Sequence, residues 1–189
     1  MVEMTVAGIA LDSSNHSPIV LLRDPSGRRQ VPIWIDHDQA HNIVAGFKQS
    51  NEDRPLSHDL MVSILKAGNL RLDRVIIHGL ELNTFQAVLK IRPKERTIKN
   101  NEDDSNNLTE IQARPSDAIA LAVRTKCSIW MLEQVVIEAS IPVDEEADIK
   151  DQNEFKRFLN DISPADLIRH LEDSDQINDN SFNQTDSEN

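Results

Sequence analysis

The sequence predicts an α+β domain: a mixed, mostly antiparallel sheet of hairpins with helices packed against it, followed by C-terminal helices and a disordered acidic tail. Three observations carry this expectation. Strand-forming residues recur in pairs separated by turn residues, the apolar spacing changes from alternation to a helical period after Ile35, and beyond Asp173 only Ile177 and Phe182 are apolar.

The opening segment, Val2 to Leu11, begins in alternation and is rich in strand formers, and Pro18 to Arg23 follows as a second strand after a polar turn. Asp24-Pro25-Ser26-Gly27 then places Pro at the second and Gly at the fourth position of a turn, so Arg28 to Ile35 returns as a third antiparallel strand. Ala40, Ile43, Val44 and Phe47 fall at i, i+3, i+4 and i+7, which predicts a helix with Asp36 placed to cap its first turn. A second helix follows Ser57, with Leu60, Met61, Ile64 and Leu65 on one face and Gly68 positioned to end it. Leu70 to Glu81 and Thr84 to Ile91 read as a second hairpin around Leu82-Asn83, because Asn tolerates a positive φ.

Pro93 to Asn107 collapses into charge and asparagine and is expected to be a mobile surface loop. Leu108 to Ala113 forms a short strand. Pro115 then suits the first position of a helix in which Ala118, Ile119, Leu121, Ala122 and Val123 are apolar over most of the circumference, so this helix should be central. Ser128 to Leu132 reads as a strand and Glu133 to Ala139 as a short helix, with Pro142 ending the compact unit. Glu154 to Leu159, and a capped start at Ser163 followed by Leu167, Ile168 and Leu171, predict helices on the domain edge. The division is therefore a domain over 1–143, a helical appendage over 144–173 and an acidic tail over 174–189.

At 189 residues the chain fits one domain plus a tail. It has no apolar run near the roughly 20 residues of a membrane helix, and neither a basic leader nor a small-residue cleavage site, so the expectation is a cytoplasmic protein without membrane contact. Cys127 is the single cysteine and sits in an apolar run, where a buried inert thiol is expected. The net charge of −12 at first argues against a nucleic-acid partner. Its distribution reverses that argument: residues 1–143 hold 18 acids and 16 bases, net −2, and residues 144–189 hold 14 acids and 4 bases, net −10. The bases cluster at Arg28-Arg29, at Arg71 and Arg74, and from Lys90 to Lys99, either as a solvated sheet face or as a nucleic-acid surface.

Two polar clusters put ionisable groups at helix starts: Arg54-Pro55-Leu56-Ser57-His58-Asp59-Leu60 and Arg114-Pro115-Ser116-Asp117-Ala118. Each pairs an arginine with the free N–H groups of a first turn, an arrangement suited to a phosphate. The same residues also serve as structure, with Ser57 as a cap, Asp59 and Asp117 complementing the helix dipole, and each Arg paired to a nearby carboxylate. His58 and Asp59 are adjacent on a helix and do not face each other, so they make no dyad. His37 and His41 have the spacing at which two imidazoles share a metal, but no third ligand stands out, and exposed helical histidines are expected. There is no phosphate-cradling glycine loop, nucleophile elbow or aromatic-basic interleaving.

Arg-Pro-Leu-Ser-His-Asp-Leu (54 to 60) and Ala-Arg-Pro-Ser-Asp-Ala-Ile-Ala-Leu-Ala-Val-Arg (113 to 124) resemble the two signature segments of the bifunctional nuclease family, which acts on DNA and RNA. Supporting matches are Val31-Pro32-Ile33-Trp34-Ile35 leading to Ala40, and Val75-Ile76-Ile77 leading to Thr84, Phe85 and Ala87, so the resemblance spans roughly Val2 to Val143. It implies an oligomeric α+β domain that hydrolyses phosphodiester bonds of DNA or RNA. His58, Asp59 and Asp117 would be the catalytic groups and Arg54, Arg114 and Ser116 the phosphate-binding ones. The cofactor stays open, a divalent cation such as Mg²⁺ being compatible with this chemistry. The sequence departs from the family pattern at Asp36 for Gly, Gln39 for Glu, Ser57 for Thr, Leu82-Asn83 for Asp-Gly, Gln86 for Tyr and Gln112 for Asp. An amide cannot ionise, so Gln39 and Gln112 keep open the alternative of a non-catalytic binding or regulatory module. Sheet edges left by two hairpins predict a homodimer or higher homo-oligomer. The acidic tail is expected either to contact a basic protein partner or to cover the domain's own basic surface.

Overall fold

Turn chemistry builds the first half of the sheet. In the computed structural model, residues 1–48, 54–94 and 108–143 are described, together with Asn153, Phe155 and Arg157. Strands β1 (Val2–Leu11), β2 (Pro18–Arg23) and β3 (Arg29–Trp34) form an antiparallel meander. The β2–β3 turn is held by a buried acid: Asp24 accepts from the Ser26 hydroxyl at 2.8 and 2.9 Å and from the Arg29 backbone N–H at 3.3 Å and Nε at 3.2 Å. Gly27 closes it at φ 70°, where a side chain would be strained. The second hairpin joins β4 (Leu70–Glu81) to β5 (Thr84–Pro93) through Leu82 and Asn83 at φ 49° and 61°, the two positive values of a type I′ turn.

The remaining strands are β6 (Thr109–Ala113), β7 (Ser128–Met131) and β8 (Ile141–Pro142), and the eight-stranded order is β6-β5-β4-β7-β1-β2-β3-β8. All neighbours are antiparallel except β4 and β7, which run parallel from Arg74 opposite Ser128 to Ile77 opposite Met131. β1 joins the two halves. Its first residues, Val2 to Met4, pair with β7, and the rest pairs with β2 past an irregularity between Val6 and Gly8.

Among the described residues, helices α1 (His37–Lys48), α2 (Ser57–Ala67), α3 (Pro115–Thr125) and α4 (Glu133–Ala139) complete the α+β fold. Helix α3 is central, as its composition predicts. Ala118, Ile119, Ala120, Leu121 and Ala122 are all buried, and the helix packs against α1, α2, β4 and β5. Fully burying a side chain such as Ile119 contributes roughly 1.5–3 kcal/mol. The core it anchors includes Leu22, Ile43, Ile77, Met131, Val136 and, beyond the compact unit expected from the sequence, Phe155.

Three local expectations are corrected. Leu60, Met61 and Ile64 of α2 face solvent, while His58, Val62 and Leu65 face inward, because polar pairs to α3 set the rotation of the helix. Phe47 of α1 is exposed and Ala45 is buried, since α1 approaches α3 closely through small residues. Leu56, not Ser57, occupies the N-cap position of α2, and Asn69 at φ 53° supplies the left-handed residue after Gly68. The expected cap of α1 forms in both directions: the Gln39 N–H donates to Asp36 Oδ1 at 2.7 Å and the Asp36 N–H to Gln39 Oε1 at 3.1 Å. Burial pushes the Cys127 thiol up, keeping it protonated. Of the loop expected over Pro93 to Asn107, Pro93 ends β5 and residues 95–107 lie outside the described residues, as do most of the helix expected over Glu154 to Leu159 and the helix and tail expected beyond it.

Candidate active-site clefts

The starts of α2 and α3 meet. The ring Nε2 of His58 lies 3.2 Å from Asp117 Oδ1, across 59 residues of sequence. A carboxylate only accepts, so Nε2 donates to it, while Nδ1 is buried and has no hydrogen-bond partner among the described residues. Arg114 grips the same carboxylate from the other side, donating from Nε to Oδ2 at 2.8 Å and from Nη2 to Oδ1 at 3.4 Å. The hydrogen bond from Arg114 to Asp117 pushes the guanidinium pKa further up, with a smaller contribution from Asp36, so Arg114 is a permanent cation at the surface. Arg114, Asp117 and His58 thus form a chain running from solvent to the interior, with side-chain exposures of 67%, 27% and 7%.

That chain forms one wall of a cleft of about 600 Å³, which Asp36, Asp38, Asn42 and Met61 also line. A second cleft of about 590 Å³ adjoins it and shares Gln39, Gln112, Ala113 and Arg114. Ser57 lines the first cleft and Ser116 the second. Arg54 is exposed and belongs to the lining of neither.

Asp59 also points elsewhere. Its Oδ2 accepts the Leu56 backbone N–H at 3.0 Å, half of a capping box, and its Oδ1 accepts Arg124 Nε at 2.7 Å. Burial raises the Asp59 pKa, but the Arg124 and Leu56 hydrogen bonds outweigh it and hold the carboxyl below the ordinary aspartate value. Arg124 is almost fully buried and also donates from Nη1 to the carbonyls of Asn42 at 2.7 Å and Ala120 at 3.1 Å, tying α1, α2 and α3 together. Arg124 closes the second signature segment, yet its role was not foreseen. The available signal is its spacing, seven residues or two turns after Asp117, which puts both on one face of α3.

Gln39 and Gln112, far apart in sequence, both line both clefts. Gln86 and Asn83 line the second and Asp36 the first. His37 and His41 are exposed on α1, and among the described residues no three His, Cys, Asp or Glu side chains gather closely enough to hold a metal. No described helix is long and apolar enough to cross a membrane.

An open eight-stranded sheet with two signature helix starts meeting at a cleft defines a class, and comparison with known proteins names it. The sequence pattern of the bifunctional nuclease domain matches residues 20–144, and the chain belongs to that family. Two curated relatives from Mycobacterium tuberculosis, the uncharacterized proteins MT1877 of strain CDC 1551 and Rv1829 of strain H37Rv, are each 32% identical over 175 residues, covering 88% of this chain and 98% of theirs.

Proposed function

We propose that the protein is a nuclease that hydrolyses phosphodiester bonds of DNA or RNA in the cleft walled by Arg114, Asp117 and His58. The observation that carries this reading is the unbroken chain from an exposed guanidinium through a half-exposed carboxylate to a buried imidazole. Arg114 has donors to spare beyond those on Asp117 and holds the phosphate. Asp117 takes a proton from the attacking water as the P–O ester bond breaks, and the leaving oxygen is protonated from solvent. His58 is the positioning residue behind Asp117. Ser116 and the N-terminus of α3 add polar groups beside the phosphate, whereas Asp59 and Arg54 act outside the cleft, Asp59 as a staple to Arg124.

The test is cleavage of a fluorogenic single-stranded oligonucleotide. Asp117→Asn and Arg114→Ala should each reduce turnover by at least about 100-fold. Unchanged turnover in both variants would remove the chemistry from this cleft. The second reading, a binding or regulatory module that keeps the fold, is favoured by Gln39 and Gln112, whose amides cannot ionise, at the shared rim of the clefts. It predicts oligonucleotide binding without cleavage. Self-association belongs to the proposal under either reading and is supported by the exposed Leu60, Met61 and Ile64 on α2.

A further inference from the structure

The second cleft has features that phosphodiester hydrolysis does not use. Trp34, at the end of β3, lines it and is 55% exposed, although solvent exposure is unfavourable for so large an apolar ring. The indole is nonetheless fixed, because its Nε1–H donates to Asp12 Oδ2 at 2.9 Å. One edge is pinned while the ring stays open. Phe85, Gln86, Gln112 and Arg114 line the same cleft. The Nε2 of Gln86 is committed to Glu81 Oε2 at 2.9 Å, which leaves its carbonyl as an acceptor.

We infer that this cleft binds one unpaired nucleobase of a single-stranded nucleic acid, stacked on Trp34, while Arg114 holds the adjoining phosphate at the boundary with the His58–Asp117 cleft. The inference deepens the proposed function and rests on it for the class of ligand. An aromatic face, amide groups and a guanidinium match the three parts of a nucleotide: the π-face of the base, its hydrogen-bonding edge and its phosphate. Stacking on Trp34 requires a free base face, which a duplex does not offer, so the ligand is a single strand. Because Arg114, Gln39 and Gln112 are common to both clefts, a strand lying across the rim puts its base in one cleft and its phosphodiester bond in the other.

Trp34 and Trp130 are the two tryptophans of the chain, so the full-length Trp130→Phe variant reports Trp34 alone. Titration of this variant with a deoxyadenosine hexamer should quench its fluorescence, and Trp34→Ala should weaken hexamer binding by about tenfold in fluorescence anisotropy, the loss expected for one stacked base. AMP should bind at least about tenfold more weakly than the hexamer, since it spans only one cleft. Hexamer binding without quenching, equal affinity of wild type and Trp34→Ala, equal affinity for AMP, or no hexamer binding at all would each overturn the inference. A cleavage assay on the same proteins separates the two readings. Cleavage that persists without quenching sinks the base site alone, and quenching without cleavage sinks only the catalytic reading.

Discussion

Arg124 Nε donates to Asp59 Oδ1 at 2.7 Å, joining the last turn of α3 to the first turn of α2 across 65 residues of sequence. Side chains on a helix lean toward its N-terminus, so Arg124 reaches back one turn to the Ala120 carbonyl and onward to the two neighbouring helices. Truncating it removes the guanidinium from the Asn42 and Ala120 carbonyls and from Asp59 at once, and leaves a cavity where the buried side chain was. Arg124→Ala should therefore lower stability by about 3 kcal/mol in urea unfolding. A loss below about 0.5 kcal/mol, the size of an exposed pair, would show that the contact does not hold α2 in place.

Gly46 gives a test whose sign is decisive. Replacing a helical Gly by Ala ordinarily stabilises by up to about 1 kcal/mol. Here the new Cβ would lie 2.8 Å from Arg124 Nη1 and 3.1 Å from Val123 Cγ1, and Nη1 cannot swing away without losing its two carbonyls. Gly46→Ala should destabilise by roughly 1–3 kcal/mol, read as a lower thermal midpoint.

Acid should weaken the β2–β3 turn. Burial raises the Asp24 pKa, but the Ser26 hydroxyl and the Arg29 N–H and guanidinium outweigh it, so the folded-state pKa lies below the ordinary 3.8. A depressed carboxyl pKa contributes stability that is fully present above the unfolded value and is lost as pH falls through the folded one. Wild type should exceed Asp24→Asn in stability at pH 7, and the gap should close below pH 3.8. A gap that stays constant as the pH falls from 7 to well below 3.8 would contradict the assignment.

Leu82 is fully exposed and in the left-handed region at φ 49°, a conformation that costs an ordinary L residue roughly 1 kcal/mol. The double variant Leu82→Asn, Asn83→Gly supplies the residues that a type I′ turn prefers. It should raise the thermal midpoint by about 2–4 °C. A fall would place Leu82 in a contact.

If, as proposed, the protein self-associates through the outer face of α2, then Leu60→Glu with Ile64→Glu should sediment as a monomer where wild type sediments as a larger species, while leaving the circular dichroism spectrum intact. A wild-type monomer at high micromolar concentration would refute it.

Features set by neighbouring residues were legible in the sequence: the turn at Asp24 to Gly27, the Asp36 cap, Pro115 at the first position of α3 and the positive φ of Asn83. The rotation of α2 was not. Its apolar spacing favours burying Leu60, Met61 and Ile64, yet the contacts of His58 and Asp59 with a helix some 60 residues away turn that face outward. The site follows the same division. The two signatures named His58, Arg114 and Asp117, but which carboxylate His58 meets depends on the crossing of α2 and α3, and no local pattern encodes it. Gln39 and Gln112 stood out as single departures, and only the sheet brings them to one rim.

The placement of β1 sets a timetable for the nascent chain. The β1–β2–β3 meander closes through short turns soon after it is made, but the other edge of β1 waits for β7, since Val2 pairs with Met131. Until that late strand leaves the ribosome, the first-made strand presents an open edge, and β4 lacks its parallel neighbour. Contacts so distant in sequence make folding slow, and closure of the sheet is a late event of synthesis.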